Sequence, residues 1–231
     1  MSNTHISLKG LYDKQILFES LTVKKNAMHK NTHPGKFIVF EGLDGSGNST
    51  QADLLLRNIV NSGVRAELTK EPTNFLIGGL IRSALNNDWE PSPECLQMLF
   101  SADRAHHLSK QIPNLLRKGV HVICDRYFLS TIAFGLLGVP DEEWLLAINR
   151  RFMLPDVTFI MKVDPKICSE RIAERRNTVE LFEREESLKT VWGNYERLAG
   201  KFDSVHIIDG ERDRSVISQE IWSLVEPILK T

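Results

Sequence analysis

Cysteine is scarce in this chain and forms no pattern. The 231 residues hold Cys95, Cys124 and Cys168, far apart and without a CxxC pair. That excludes a disulfide framework or a zinc ribbon and fits reduced thiols in a cytoplasmic protein. No apolar run reaches the roughly 18 residues of a membrane span. Neither sign of charge prevails: the formal net charge is −1, so no global field invites a nucleic-acid polymer or a membrane surface. Internal repeats and low-complexity tracts are also lacking. What is there is a chain that is 42% hydrophobic, enough to build one sizeable core.

Residues 1–35 differ from the rest. They carry Lys9, Lys14, Lys24, Lys25 and Lys30 against Asp13 and Glu19, and their one compact apolar cluster is Ile16-Leu17-Phe18. That cluster is too short for a signal-peptide core, and the segment is neither Arg-rich nor acid-poor as a transit peptide would be. The expectation is an N-terminal extension without fixed structure over 1–35 and one domain over 36–231.

From Lys36 onward, strand and helix signals alternate. Apolar, β-branched runs predict strands at Phe37–Phe40, Arg65–Thr69, Val120–Cys124, Thr158–Val163 and Val205–Ile208. Helical spacing predicts helices from Ser49 to Ile59 and around Ile77–Leu85, Pro93–Lys118, Glu142–Phe152, Pro165–Arg176, Ser187–Lys201 and Arg214–Leu229. Such alternation implies an α/β fold: a mostly parallel, five-stranded sheet with helices on both faces. Ligands then bind beyond the carboxyl ends of the strands.

One loop occupies that position. Gly42-Leu43-Asp44-Gly45-Ser46-Gly47-Asn48-Ser49, followed by Thr50, lies between the first strand and its helix. It matches the phosphate-binding P-loop, GxxxxGK[ST], except that Asn48 stands in the lysine position. In that motif backbone N–H groups cradle phosphate oxygens at a helix N-terminus, and the Ser or Thr hydroxyl holds Mg²⁺. The P-loop NTPase fold is therefore expected, with Ser49 as a metal ligand. A plain Gly/Ser-rich turn is the competing reading of the loop alone.

Further constellations occupy loops and helices at the same edge. Asp125-Arg126-Tyr127 ends the third predicted strand. Asp125 there is suited to Mg²⁺, directly or through water, or to a proton, and Arg126 offers a planar fork for phosphate oxygens. A strand-end Asp–Arg surface pair satisfies the same pattern. Phe100 and Arg104 share one helix face and suit a base, although a core Phe beside a surface Arg is the commoner meaning. Lys70-Glu71-Pro72-Thr73 follows the second strand, as either a substrate loop or an ordinary turn. Arg171, Arg175 and Arg176 precede a segment rich in Glu, either a phosphate-closing lid at about 175–186 or a solvated face.

In this order the pieces resemble the thymidylate kinase (dTMP kinase) family of nucleoside-monophosphate kinases, over about Lys36 to Leu229. The segments that carry the resemblance are FEGLDGSGNSTQ, KEPT, LFSADRAHH and DRYFLSTIAF. The resemblance implies transfer of the γ-phosphoryl group of ATP to dTMP, with Mg²⁺, by a homodimer. It implies that Gly42 to Thr50 embrace the ATP phosphates and that Asp44 reaches the 3′-hydroxyl of dTMP. It further implies that Phe100 stacks on thymine, that Arg104 hydrogen-bonds the base, and that Arg126 grips the acceptor phosphate near Asp125 and Glu71. With no basic residue in the loop, Arg175 or Arg176 of the lid becomes the expected source of the positive charge at the phosphates.

Asn48 is the departure from that family pattern. An amide donates a neutral hydrogen bond, is shorter than a lysine and brings no charge. The expectations are a kinase weakened by Asn48 or dependent on its lid arginines, a catalytically impaired nucleotide-binding homologue, or a nucleoside-monophosphate kinase with another base preference. If the lid supplies the charge, Arg175→Ala combined with Arg176→Ala lowers turnover far more than dTMP affinity. Near-normal turnover in that double variant, measured alongside dTMP titration, removes the lid hypothesis.

Overall fold

In the computed structural model, residues 28–175, 182 and 185–230 are described. The elements run β1 (His29–Lys30), β2 (Phe37–Gly42), α1 (Asn48–Asn61), β3 (Ala66–Lys70), α2 (Leu76–Leu85), α3 (Pro93–Lys110) and α4 (Ile112–Arg117). They continue with β4 (His121–Asp125), α5 (Phe128–Gly135), α6 (Glu142–Asn149), β5 (Met153–Leu154), β6 (Val157–Lys162) and α7 (Pro165–Arg175). Last come α8 (Glu185–Ala199), β7 (Val205–Asp209) and α9 (Arg214–Leu229). The main sheet has the order β3-β4-β2-β6-β7, and every pairing in it is parallel.

Alternation along the central strands explains the layering. Phe37 and Val39 of β2, with Val122 and Cys124 of β4, face one cluster, which α4, α5, α6 and α8 cover. Ile38, Phe40, Ile123, Phe159 and Met161 face the other, against Ala52, Leu55 and Ile59 of α1 and Ile217, Ile221 and Val225 of α9. Every residue of β2 is buried, as expected for the middle strand of a sheet covered on both faces. Each fully buried Phe or Ile contributes about 1.5–3 kcal/mol. The chain leaves β2 towards the β3 edge and leaves β6 towards the β7 edge. The carboxyl ends of β2 and β4 thus open onto the crevice where such sheets bind ligands.

The five expected strands form, displaced by a residue or two. Several other expectations are corrected. The single helix predicted at Pro93–Lys118 is two, broken at Gln111. Pro113 lacks an N–H and cannot continue the α3 ladder. Helix α5 went unpredicted because nearly all its residues are buried, so it shows no amphipathic period. Helix α6 ends at Asn149 rather than Phe152.

The domain boundary expected at residue 36 falls inside packed structure. Strand β1 pairs in parallel with β5. The Asn31 amide donates to Asp156 at 2.8 Å, and the same carboxylate accepts the Phe37 N–H at 2.7 Å. Residues 1–27 of the expected extension, and most of the expected lid, including Arg176, lie outside the described residues.

Helix α2 supplies a matched test of the packing. A methyl group on Gly78 would meet the Thr73 carbonyl oxygen at 1.9 Å, whereas one on Gly79 meets nothing nearer than 3.9 Å. Gly78→Ala is expected to destabilise by about 1–3 kcal/mol through overpacking. Gly79→Ala should be neutral or stabilise by up to about 1 kcal/mol. Urea unfolding of the pair checks both.

Candidate active site

The loop from Gly42 to Ser49 curls over the N-terminus of α1. Close approach sets its backbone: Gly45 has φ 80°, and a Cβ there would lie 2.6 Å from the carbonyl oxygen of Cys168 in α7. Gly47 caps α1 at φ 96°, which makes Asn48 the first helical residue. Asn48 is 5% exposed. Its Oδ1 accepts from the Ser46 hydroxyl at 3.2 Å, while its Nδ2 is buried without a partner. An enclosed, unused N–H donor is costly.

Two strand ends meet at the loop. The Ser49 hydroxyl donates to Asp125 Oδ2 at the end of β4. Arg126 follows at φ 70°, in the left-handed region. Its guanidinium donates to the Gly42 carbonyl at 2.9 Å, to Ser130 Oγ at 3.1 Å and to Asp44 Oδ1 at 2.6 Å, and lies 5.3 Å from the Phe134 ring centroid. Burial opposes the Arg126 charge, but Asp44, Tyr195, Asp125 and Glu41 together outweigh it and hold the guanidinium above its ordinary pKa. Loop, Asp125, Arg126 and Ile172 of α7 enclose a cleft of about 270 Å³. Arg171 donates to the Gly45 carbonyl at 3.3 Å from the other side. The side chains of Arg175 and Arg176 lie outside the described residues.

Paired oxygen donors from Ser49 and Asp125 at the mouth of the anion cradle suit a hard cation such as Mg²⁺. Another set of donor atoms, from Glu71, His107 and Cys124, lies within 4.8 Å but does not suit one. Arg104 already neutralises Glu71, and burial, helped by the nearby carboxylates, pushes the Cys124 thiol well up.

The remaining expected residues lie apart from the loop. Glu71, just beyond β3, is buried and accepts from Arg104 Nε at 2.9 Å, with His107 Nδ1 3.0 Å away. Arg104 is 1% exposed. It also donates to Asn149 and, at 2.8 Å, to Thr131, and it lies 5.0 Å from the Tyr127 ring centroid. Phe100 is half-buried and packs on the small apolar cluster between α2 and α3. Phe100 and Arg104 stand one turn apart on α3, and Glu71 links Arg104 to the end of β4, where its N–H donates to the Asp125 carbonyl at 3.0 Å.

Sequence reasoning passed over Glu41, Ser130 and Tyr195. Glu41 is fully buried at the end of β2 and bonds the hydroxyls of Ser130 and Tyr195. An acid inside the apolar run FIVFEG was the available signal, because a buried carboxylate requires partners.

A family model described as thymidylate kinase matches residues 40–221. The chain belongs to the thymidylate kinase family. A probable thymidylate kinase of Thermococcus kodakarensis is 37% identical over 201 residues, covering 84% of this chain and 98% of that protein. A thymidylate kinase of Brachyspira hyodysenteriae is 34% identical, over 83% of this chain and 94% of its own. Among solved structures, the thymidylate kinase of Candida albicans superposes with a TM-score of 0.73 at 27% identity. It covers 85% of this chain and 93% of its own.

Beneath this thymidylate kinase site, the Arg104–Glu71 pair is enclosed, with side chains 1% and 3% exposed. Removing one partner strands a buried charge. Glu71→Ala should therefore cost about 3–5 kcal/mol, read as a lowered urea midpoint at unchanged slope. A loss below about 1 kcal/mol shows that the pair is not structurally required.

Proposed function

We propose that this protein transfers the γ-phosphoryl group of ATP to dTMP, giving dTDP and ADP. The observation that carries the reading is the convergence of Ser49, Asp125 and Arg126 on one P-loop cleft, in a chain of the thymidylate kinase family. On this reading Gly42, Leu43, Asp44, Gly45, Ser46, Gly47, Asn48, Ser49 and Thr50 embrace the ATP phosphates. Ser49 and Asp125 hold Mg²⁺, Asp125 directly or through water. The metal, when bound, neutralises charge on the β- and γ-phosphates.

Arg126 grips the acceptor phosphate and directs one of its oxygens at the γ-phosphorus. A new P–O bond forms as the bond to the bridging oxygen breaks, and ADP leaves. Asp44 exchanges its bond to Arg126 for the 3′-hydroxyl of dTMP. Phe100 stacks on the base, Arg104 contacts it, and Glu71 holds Arg104 in place. A lid at about 175–186, with Arg175 and Arg176, closes over the phosphates and excludes water. The protein works as a homodimer.

The chemistry requires alignment and cations more than covalent participation. Asn48 brings the phosphates no charge, and its neutral Nδ2 is enclosed without a partner. Charge comes from Arg126 and from Arg171, which is anchored on a helix against Gly45, with the lid arginines adding theirs.

A coupled assay of ADP release by the Mg²⁺-loaded protein tests this. Release should depend on dTMP, exceed that with dUMP, dCMP or dAMP, and rise in Asn48→Lys by up to about 10²-fold, the worth of one preorganised donor. A wild type without turnover that Asn48→Lys restores rules out compensation by the arginines. Turnover faster with another monophosphate favours a different base preference.

A further inference from the structure

We infer that Glu41, Ser130 and Tyr195 form a buried latch that holds the Arg126 guanidinium in the cleft, so that they are positioning residues for the acceptor phosphate. The inference rests on the proposed role of Arg126 as the group that grips that phosphate. The three residues come from β2, α5 and α8, and none of them lines the cleft.

Burial requires the Glu41 carboxylate to find donors inside the protein. Four reach it: the Tyr127 N–H at 3.0 Å, the Ser130 N–H at 3.2 Å, the Ser130 hydroxyl, and the Tyr195 hydroxyl at 3.2 Å. Burial pushes the Glu41 carboxyl above its ordinary range, while the Ser130 hydrogen bond and the Arg126 charge pull it back.

Two of those donors are N–H groups at the start of α5, a helix without a side-chain cap of its own. Glu41 thus caps α5 from a neighbouring strand, where a carboxylate also favours the helix dipole. Arg126 precedes that helix start and is held at φ 70°. A left-handed arginine is strained and persists only where its surroundings fix it. Glu41 fixes them on one side, through the α5 cap. On the other, the Arg126 N–H donates to Phe40 at 2.8 Å.

The side chain is held by the same group. Ser130 Oγ donates to Glu41 and accepts from Arg126 at 3.1 Å. Tyr195 lies 2.8 Å from Ser130 Oγ. With the Ser130 hydrogen committed to Glu41, the Tyr195 hydroxyl donates to the pair. One buried carboxylate thereby orients both the backbone and the guanidinium of Arg126.

The test compares dTMP with thymidine, which lacks the phosphate, by titration calorimetry on the full chain. Ser130→Ala and Tyr195→Phe should weaken dTMP about tenfold, the worth of a hydrogen bond to a charged group. Their affinity for thymidine and for ATP should stay within about twofold. Glu41→Gln should do the same, and Ser130→Thr should keep wild-type affinity. Equal losses for dTMP and thymidine would mean general distortion and overturn the latch. So would unchanged dTMP affinity in Ser130→Ala and Tyr195→Phe, provided that Arg126→Ala itself weakens dTMP over thymidine. If Arg126→Ala shows no such preference, the acceptor role of Arg126 fails instead.

Discussion

A carboxylate enclosed at the end of the central strand constrains everything around it. Glu41 cannot reach water, so the elements beside it must bring donors to it. They do so from α5 and α8, and this draws the turn after β4 against the start of the P-loop. The next residue along, Gly42, begins the phosphate loop, and its carbonyl accepts from Arg126. The anion cradle and the arginine beside it are therefore positioned by opposite ends of the same dipeptide.

A second constraint is the balance of charge. Asp44 and Asp125 place two carboxylates at the P-loop cleft, and Asn48 contributes none of the positive charge that a lysine brings. Among the described residues the compensating groups at the loop are Arg126, in the turn between β4 and α5, and Arg171, on α7. Each donates to a P-loop carbonyl and so stiffens the loop as well as making it electropositive. Cations that already bond the cradle lose little freedom when an anion arrives, which suits a loop whose own side-chain donor is neutral.

Much of the fold was legible because the β strands are short apolar runs and most helices are amphipathic. What escaped did so for identifiable reasons. Helix α5 is buried almost all round, so it has no polar face to mark its period. The two-residue pairing of β1 with β5 is too short to show as alternation, and it depends on Asn31 finding Asp156, 125 positions away. The break between α3 and α4 was visible in Pro113, but helical spacing continued past it and prevailed in the reading. In the site, the loop and Asp125-Arg126 were legible as motifs whose residues are neighbours in sequence. The burial of Arg104 was not legible, because spacing shows which residues share a helix face and not which way that face points.

By itself the sequence determined the alternating α/β architecture, the position of the phosphate loop at a strand's carboxyl end and the absence of a lysine from it. Each of these follows from local composition and spacing. Only the tertiary structure decided that Arg104 turns inward to Glu71, that Arg171 reaches the loop and that Glu41 is held by Ser130 and Tyr195. Those outcomes depend on burying charge between elements distant in the chain. A buried charge selects its partners by what the packing brings within hydrogen-bond reach, and that is settled only when the sheet and its helices have closed around it.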